Sequence, residues 1–152
     1  QVAGIVFLPV RRVLYCGVVG ESALRDVITS GCADVAEVEK EEIHAGKLAK
    51  TTVVASRSHM NADTEAFIEA LRAEGNAEIE VVSAGSSLKF CLVAEGKADY
   101  YPRYAPTMEW DTAAGHAICL AAGASVAQPD GAPLRYNRQD LLNPYFLVKA
   151  CR

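Results

Sequence analysis

Asp111 stands at the predicted start of a small-residue helix, in the run Glu109-Trp110-Asp111-Thr112-Ala113-Ala114-Gly115, just after a turn containing Pro102 and Pro106. An acid at a helix start suits two tasks. It complements the positive end of the helix dipole, or it reaches a metal ion or orients a water beside a bound phosphate. Thr112 adds a hydroxyl, Trp110 is expected to pack behind the pair, and three small residues let the helix start approach a ligand or another backbone closely. One carboxylate is a small part of a Mg²⁺ site, because that ion takes about six oxygen ligands.

Other candidates lie upstream. Ser86 and Lys89 open a second predicted helix, where a capping hydroxyl and a lysine one turn on would face the same anion. The pair lacks the G-x-x-x-x-G-K frame of a nucleotide loop, and the supporting motifs of a Ser/Lys acyl-transfer enzyme are not in the chain. Arg103 follows Tyr100-Tyr101-Pro102, and its guanidinium suits two-point recognition of phosphate or stacking on a base. His59, in the polar turn Arg57-Ser58-His59 after a predicted strand, is a further phosphate donor. His44 and His116 have no metal-ligand partners at useful spacing, so both are read as structural.

The elements that must position these residues follow from pattern. Val2–Val10 and 12–19 are rich in β-branched residues and read as a hairpin of two strands. The stretch 20–50, with the acidic run at 37–42, reads as irregular solvated surface. Lys50–Ser56 is a buried strand. Asn61 or Asp63 caps a helix carrying Phe67, Ile68 and Leu71 and stopping near Gly75. Ile79–Val82 is a short strand, Gly85-Ser86-Ser87 leads into a helix ended by Gly96, and Asp99-Tyr100-Tyr101 is another strand. Trp110–Ala122 is a helix stopped by Gly123, with strands expected at 124–127 and 145–148. Three helices among strands predict an α/β or α+β class with a mixed sheet and flanking helices. No linker or repeat divides the chain, so residues 1–152 are expected to form a single domain.

Composition narrows the functions. The chain has 152 residues, 51% of them hydrophobic and 22% charged, which is the profile of a globular domain. Its net charge of −4 excludes a sequence-independent nucleic-acid binder, which needs a basic face. No apolar run reaches the ~20 residues of a transmembrane helix. Five cysteines without paired spacing suggest a reducing, cytoplasmic setting, with Cys91 and Cys119 in the core.

Several pieces occur together and in order: Gly4-Ile5-Val6-Phe7-Leu8-Pro9, Ser56-Arg57-Ser58-His59, Gly85-Ser86-Ser87-Leu88-Lys89-Phe90, Asp99-Tyr100-Tyr101-Pro102-Arg103, Trp110-Asp111-Thr112-Ala113-Ala114-Gly115 and Leu142-Asn143-Pro144. In these the chain resembles the C-terminal half of the CysQ-type 3'(2'),5'-bisphosphate nucleotidases, in the inositol monophosphatase superfamily. The resemblance implies the fold of that half and Mg²⁺-dependent removal of the 3'-phosphate of 3'-phosphoadenosine 5'-phosphate, giving AMP, in sulfate assimilation. It implies Asp111 as a metal ligand and His59, Ser86, Lys89 and Arg103 as contacts to the small-molecule nucleotide. The superfamily's metal-binding glutamate and Asp-Pro-x-Asp-Gly-Thr motif are not in the chain; Pro129-Asp130-Gly131-Ala132 is no copy of it. The expectation is therefore a fragment without the N-terminal metal-binding part, inactive alone and prone to self-association through bared core surface. The alternatives are a non-catalytic nucleotide-binding or interaction domain, and an inositol or sugar phosphatase of the same superfamily.

Overall fold

The computed structural model describes residues 1–28, 40–56, 60–75 and 78–151. Four strands, β1 (Ala3–Leu8), β2 (Val13–Val18), β3 (Ala23–Val27) and β4 (Lys40–Ile43), form an antiparallel sheet in chain order. The expected hairpin of β1 and β2 is present, with Gly4 opposite Gly17 and Ile5 opposite Cys16. The stretch 20–50 is not simply irregular surface, because β3 and β4 lie in it. Ala23 pairs with Ile43 on the buried face, while Arg25 opposite Glu41 satisfies the charged positions in an ion pair of 3.1 Å. Alternation over four or five residues is a weak signal when most side chains in it are charged.

The second sheet is mixed. It runs β6 (Ile79–Ser83), β5 (Thr51–Ala55), β7 (Tyr100–Arg103), β9 (Phe146–Lys149), β8 (Ser125–Ala127), with the first three parallel and the last two antiparallel to their neighbours. Three helices complete the described residues: α1 (Ala62–Ala73), α2 (Leu88–Ala94) and α3 (Glu109–Ala121). Asn61 caps α1, its side-chain oxygen accepting from Thr64 N at 3.0 Å and its amide donating to Tyr104 O at 2.5 Å, so the helix start is tied to the end of β7.

The layers follow from what each face buries. One core cluster joins Val13 and Tyr15 of β2, Phe90 and Val93 of α2, Ile118 of α3, and Val54, Tyr101, Phe146 and Val148 of the mixed sheet. Helices α2 and α3 therefore lie between the two sheets. Ile68 and Leu71 of α1 cover Val53 on the far side of the mixed sheet. Cys91 and Cys119 are buried in the central layer as expected, and burial pushes the Cys91 thiol up to about 12.

Close approach of α3 to its neighbours needs glycine. A β-carbon on Gly4 would run into the Ala114 backbone, and one on Gly115 would stand 2.6 Å from the Phe90 ring. The small residues after Asp111 therefore admit β1 and α2 against the helix, which is the backbone half of the expectation drawn from them.

Candidate functional site

A cavity of about 370 Å³ opens where β5 and β7 end and α2 and α3 begin, among Ser56, Ser86, Lys89, Tyr101, Arg103, Trp110 and Asp111. It lies outside the carboxyl ends of the parallel strands, where open α/β sheets bind ligands. Ser86, Lys89, Arg103 and Asp111, from three separate segments of the chain, thus share one pocket. His59 lies outside the described residues.

Lys89 is 3% exposed, an unusual place for an ammonium group. Its Nζ donates to Ser86 O at 3.1 Å and Ala84 O at 3.4 Å and sits 5.1 Å from the centre of the Tyr101 ring. Burial, helped by the charge of Arg103, pulls its pKa down to about 8. Among the described residues no carboxylate forms a salt bridge with it.

Ser86 does not cap α2. Its backbone is left-handed, with φ of 50°, and Ser87 occupies the cap position without a side-chain hydrogen bond. The left-handed turn is what presents the Ser86 carbonyl to Lys89, at a conformational cost of about 1 kcal/mol or more for a residue with a β-carbon. Arg103 donates through one terminal nitrogen to Pro106 O at 3.1 Å, and its Nε is buried without an acceptor. A guanidinium with an idle buried donor at a pocket wall is a fit for an anionic ligand.

Of the jobs the sequence leaves open to it, Asp111 does the one at its own helix start. One carboxylate oxygen accepts the Met108 amide at 2.8 Å and closes the first turn of α3, while the residue as a whole is exposed at the pocket. Trp110 does not pack behind it. It is 67% exposed and forms part of the pocket wall. The Thr112 hydroxyl is engaged inward: it donates to Glu109 O at 3.1 Å and accepts from Asn143 Nδ2 at 3.0 Å and Tyr136 Oη at 3.2 Å.

The supporting residues behind α3 escaped sequence reading. Glu109, buried at the helix start, accepts from the amides of Asn137 at 2.7 Å and Arg138 at 3.2 Å and pairs with the Arg138 guanidinium at 3.3 Å. Burial alone would raise its pKa, but those amides and that cation together hold it below the usual carboxylate range. Asn143 also donates to Met108 O at 2.8 Å, fastening the loop before β9 to the helix start. The only sequence trace of this was the Leu142-Asn143-Pro144 run, which names a loop without its destination.

The donor set does not complete a Mg²⁺ site. Among the described residues no three His, Cys, Asp or Glu side chains converge as a metal cluster, and Glu109 is taken up by its loop. Asp111 offers a single carboxylate, well short of the oxygen ligands the ion takes. Further ligands must come from outside the described residues for this pocket to hold the ion.

Comparison with known proteins identifies the family and the fold. Residues 1–150 match the model of the inositol monophosphatase family. The chain is 40% identical over 148 residues to the 3'(2'),5'-bisphosphate nucleotidase CysQ of Escherichia coli (strain K12), covering 97% of this chain and 54% of that protein. The crystal structure of CysQ from Bacteroides thetaiotaomicron superposes with a TM-score of 0.86 at 46% identity, over 99% of this chain and 58% of that one. Staphylococcal IMPase-II shares the fold at a TM-score of 0.68 and 20% identity, over 97% of this chain and 51% of that one. The chain spans about half the length of the curated relatives it matches. By sequence and by fold, it belongs to the inositol monophosphatase family.

Proposed function

We propose that this chain is the substrate-holding part of a Mg²⁺-dependent phosphatase that removes the 3'-phosphate of 3'-phosphoadenosine 5'-phosphate to give AMP. The observation that carries the reading is the meeting of Lys89 and Arg103, two cations without a carboxylate partner among the described residues, in the pocket that also exposes Asp111. The similarity to CysQ over nearly the whole chain supports the nucleotide as substrate.

When bound, Mg²⁺ polarises phosphoryl oxygens and lowers the pKa of a water. The chain's own residues do the rest of the holding. Lys89 and Arg103 take up phosphate charge in a partly closed pocket, where each interaction is stronger than in water. Ser86 and His59 are assigned to the nucleotide. Asp111 would lend one oxygen to the metal while its other oxygen keeps the helix start in place. The remaining acids belong to a metal-binding part outside this chain. A reducing cytoplasm and a place in sulfate assimilation complete the reading, in keeping with the free thiols of Cys16, Cys91, Cys119 and Cys151. Self-association belongs to it as well, since the outer face of β1 and β2 exposes Ile5, Phe7 and Val18.

The test is phosphate release from 3'-phosphoadenosine 5'-phosphate with Mg²⁺. The purified chain alone should release next to none, and joining it to an upstream segment that carries the superfamily's acids should restore turnover. Robust release by the 152-residue chain by itself defeats the division of labour. A preference of the joined protein for inositol phosphates over the nucleotide defeats the substrate.

A further inference from the structure

Behind the pocket, on the buried side of α3, lies a chain of hydrogen bonds that the phosphatase reading does not use. His116 Nδ1 is 2.9 Å from Tyr136 Oη, Tyr136 Oη is 3.2 Å from Thr112 Oγ1, and Asn143 Nδ2 reaches Thr112 Oγ1 at 3.0 Å and Met108 O at 2.8 Å. Thr112 and His116 are buried. The protons can be counted along it. The Thr112 hydroxyl hydrogen goes to Glu109 O, so Thr112 Oγ1 accepts from both Tyr136 and Asn143. The single Tyr136 hydrogen is thereby spent, and the hydrogen between Tyr136 and His116 must come from His116 Nδ1. Burial keeps that imidazole neutral, with its pKa pulled down to about 4, so its Nε2 is left bare.

A threonine in a helix divides between two χ1 rotamers, because its hydroxyl can bond back to the preceding turn in one of them. Here two donors from outside the helix select the bonded one. Thr112 follows Asp111 directly, and Asn143 spans Met108 and Thr112, the residues on either side of the turn that Asp111 closes.

We infer that Tyr136 is a positioning residue for the pocket: held by His116, it locks Thr112 and so fixes the first turn of α3 from which Asp111 is presented. A site built on such a turn needs its geometry held to a fraction of an ångström, and locked supporting side chains are how folds achieve that. The inference rests on the phosphatase reading for its purpose, but its test does not.

The experiment is amide hydrogen exchange by NMR on the whole chain, wild type against Tyr136→Phe. Loss of one ordinary hydrogen bond should speed exchange at the Met108 amide about fivefold, with the Phe90 and Ile118 amides in the core unchanged. The ¹⁵N shifts of His116 should move from the Nδ1–H form in the wild type to the Nε2–H form in the variant. Unchanged Met108 exchange overturns the inference, as does equal acceleration of the core amides, which marks a merely structural role. Should Tyr136→Phe fail to fold, Thr112→Ser and Thr112→Val decide it. Serine keeps the acceptor and should leave Met108 exchange as in the wild type, whereas valine should accelerate it; equal behaviour of the two refutes the lock. Calorimetry of the wild type with 3'-phosphoadenosine 5'-phosphate runs alongside. Absence of binding there counts against the nucleotide reading and leaves the exchange result standing.

Discussion

The Asp111 carboxylate takes the Met108 amide hydrogen at 2.8 Å, so the acid best placed for chemistry also closes the first turn of its own helix. The two roles separate by substitution. Asp111→Asn keeps an acceptor oxygen and should unfold in urea near the wild type, whereas Asp111→Ala should lose about 0.5–2 kcal/mol, the usual worth of a helix-start acceptor. In a full-length phosphatase carrying either change, Mg²⁺-dependent phosphate release should fall on the order of 100-fold or more if the charge is the metal ligand proposed above. Wild-type turnover by Asp111→Asn would show that the residue is a cap and nothing else.

Gly115 should not tolerate a methyl group. A β-carbon there stands 2.6 Å from the Phe90 ring, and that ring is itself wedged against Tyr101 at 5.2 Å and Phe146 at 5.7 Å between centroids. Gly115→Ala should cost about 1–3 kcal/mol through overpacking, even though alanine is the better helix former. Chemical denaturation reads this directly, and a stabilised variant would mean that α2 and α3 are less tightly apposed.

Lys89 should make the fold more stable as the solution becomes alkaline. Its folded pKa is near 8 and its ordinary value is 10.5, so below pH 8 the buried charge opposes folding in full. Between those two values the unfolded chain holds more protons than the folded one, and the penalty is relieved as pH rises. Lys89→Met should therefore be more stable than wild type at pH 7, on the order of 1 kcal/mol, with the difference shrinking towards pH 10. Phosphate affinity should move oppositely, falling in the wild type as pH passes 8. Parallel stability curves for the two proteins across that range would show that the buried ammonium carries no such penalty.

The outer face of the antiparallel sheet should drive association. Ile5 is 67% exposed and Phe7 48%, with Val18 beside them on the same face. An apolar strip of this kind on a folded chain marks a contact surface. Sedimentation should show dimers or larger species at high concentration, and Ile5→Lys with Phe7→Glu should return the chain to monomer. A wild type that stays monomeric throughout would refute it.

Much of the fold was legible because its signals are local. Apolar runs such as Thr51–Ala55, the Asn61 cap and the stop glycines at 75, 96 and 123 act within a few residues, and each element they predict is present. The strands β3 and β4 were not legible, because their charged side chains pair with each other across the sheet only once it exists. Cap assignment at α2 failed for a similar reason: the left-handed turn at Ser86 answers to Lys89 three residues on and not to the helix start.

By itself the sequence determined which residues carry charge and hydroxyl groups, and in what order, and that was enough to mark Asp111, Lys89, Arg103 and Ser86 and to suggest their family. Only the tertiary structure decided that these four meet in one pocket, that Trp110 faces outward, and that Thr112 is turned to Tyr136 and Asn143. The reason is physical. A cap or a strand is selected by neighbours along the chain, whereas the direction of a polar side chain is set by donors and acceptors that folding brings from far away.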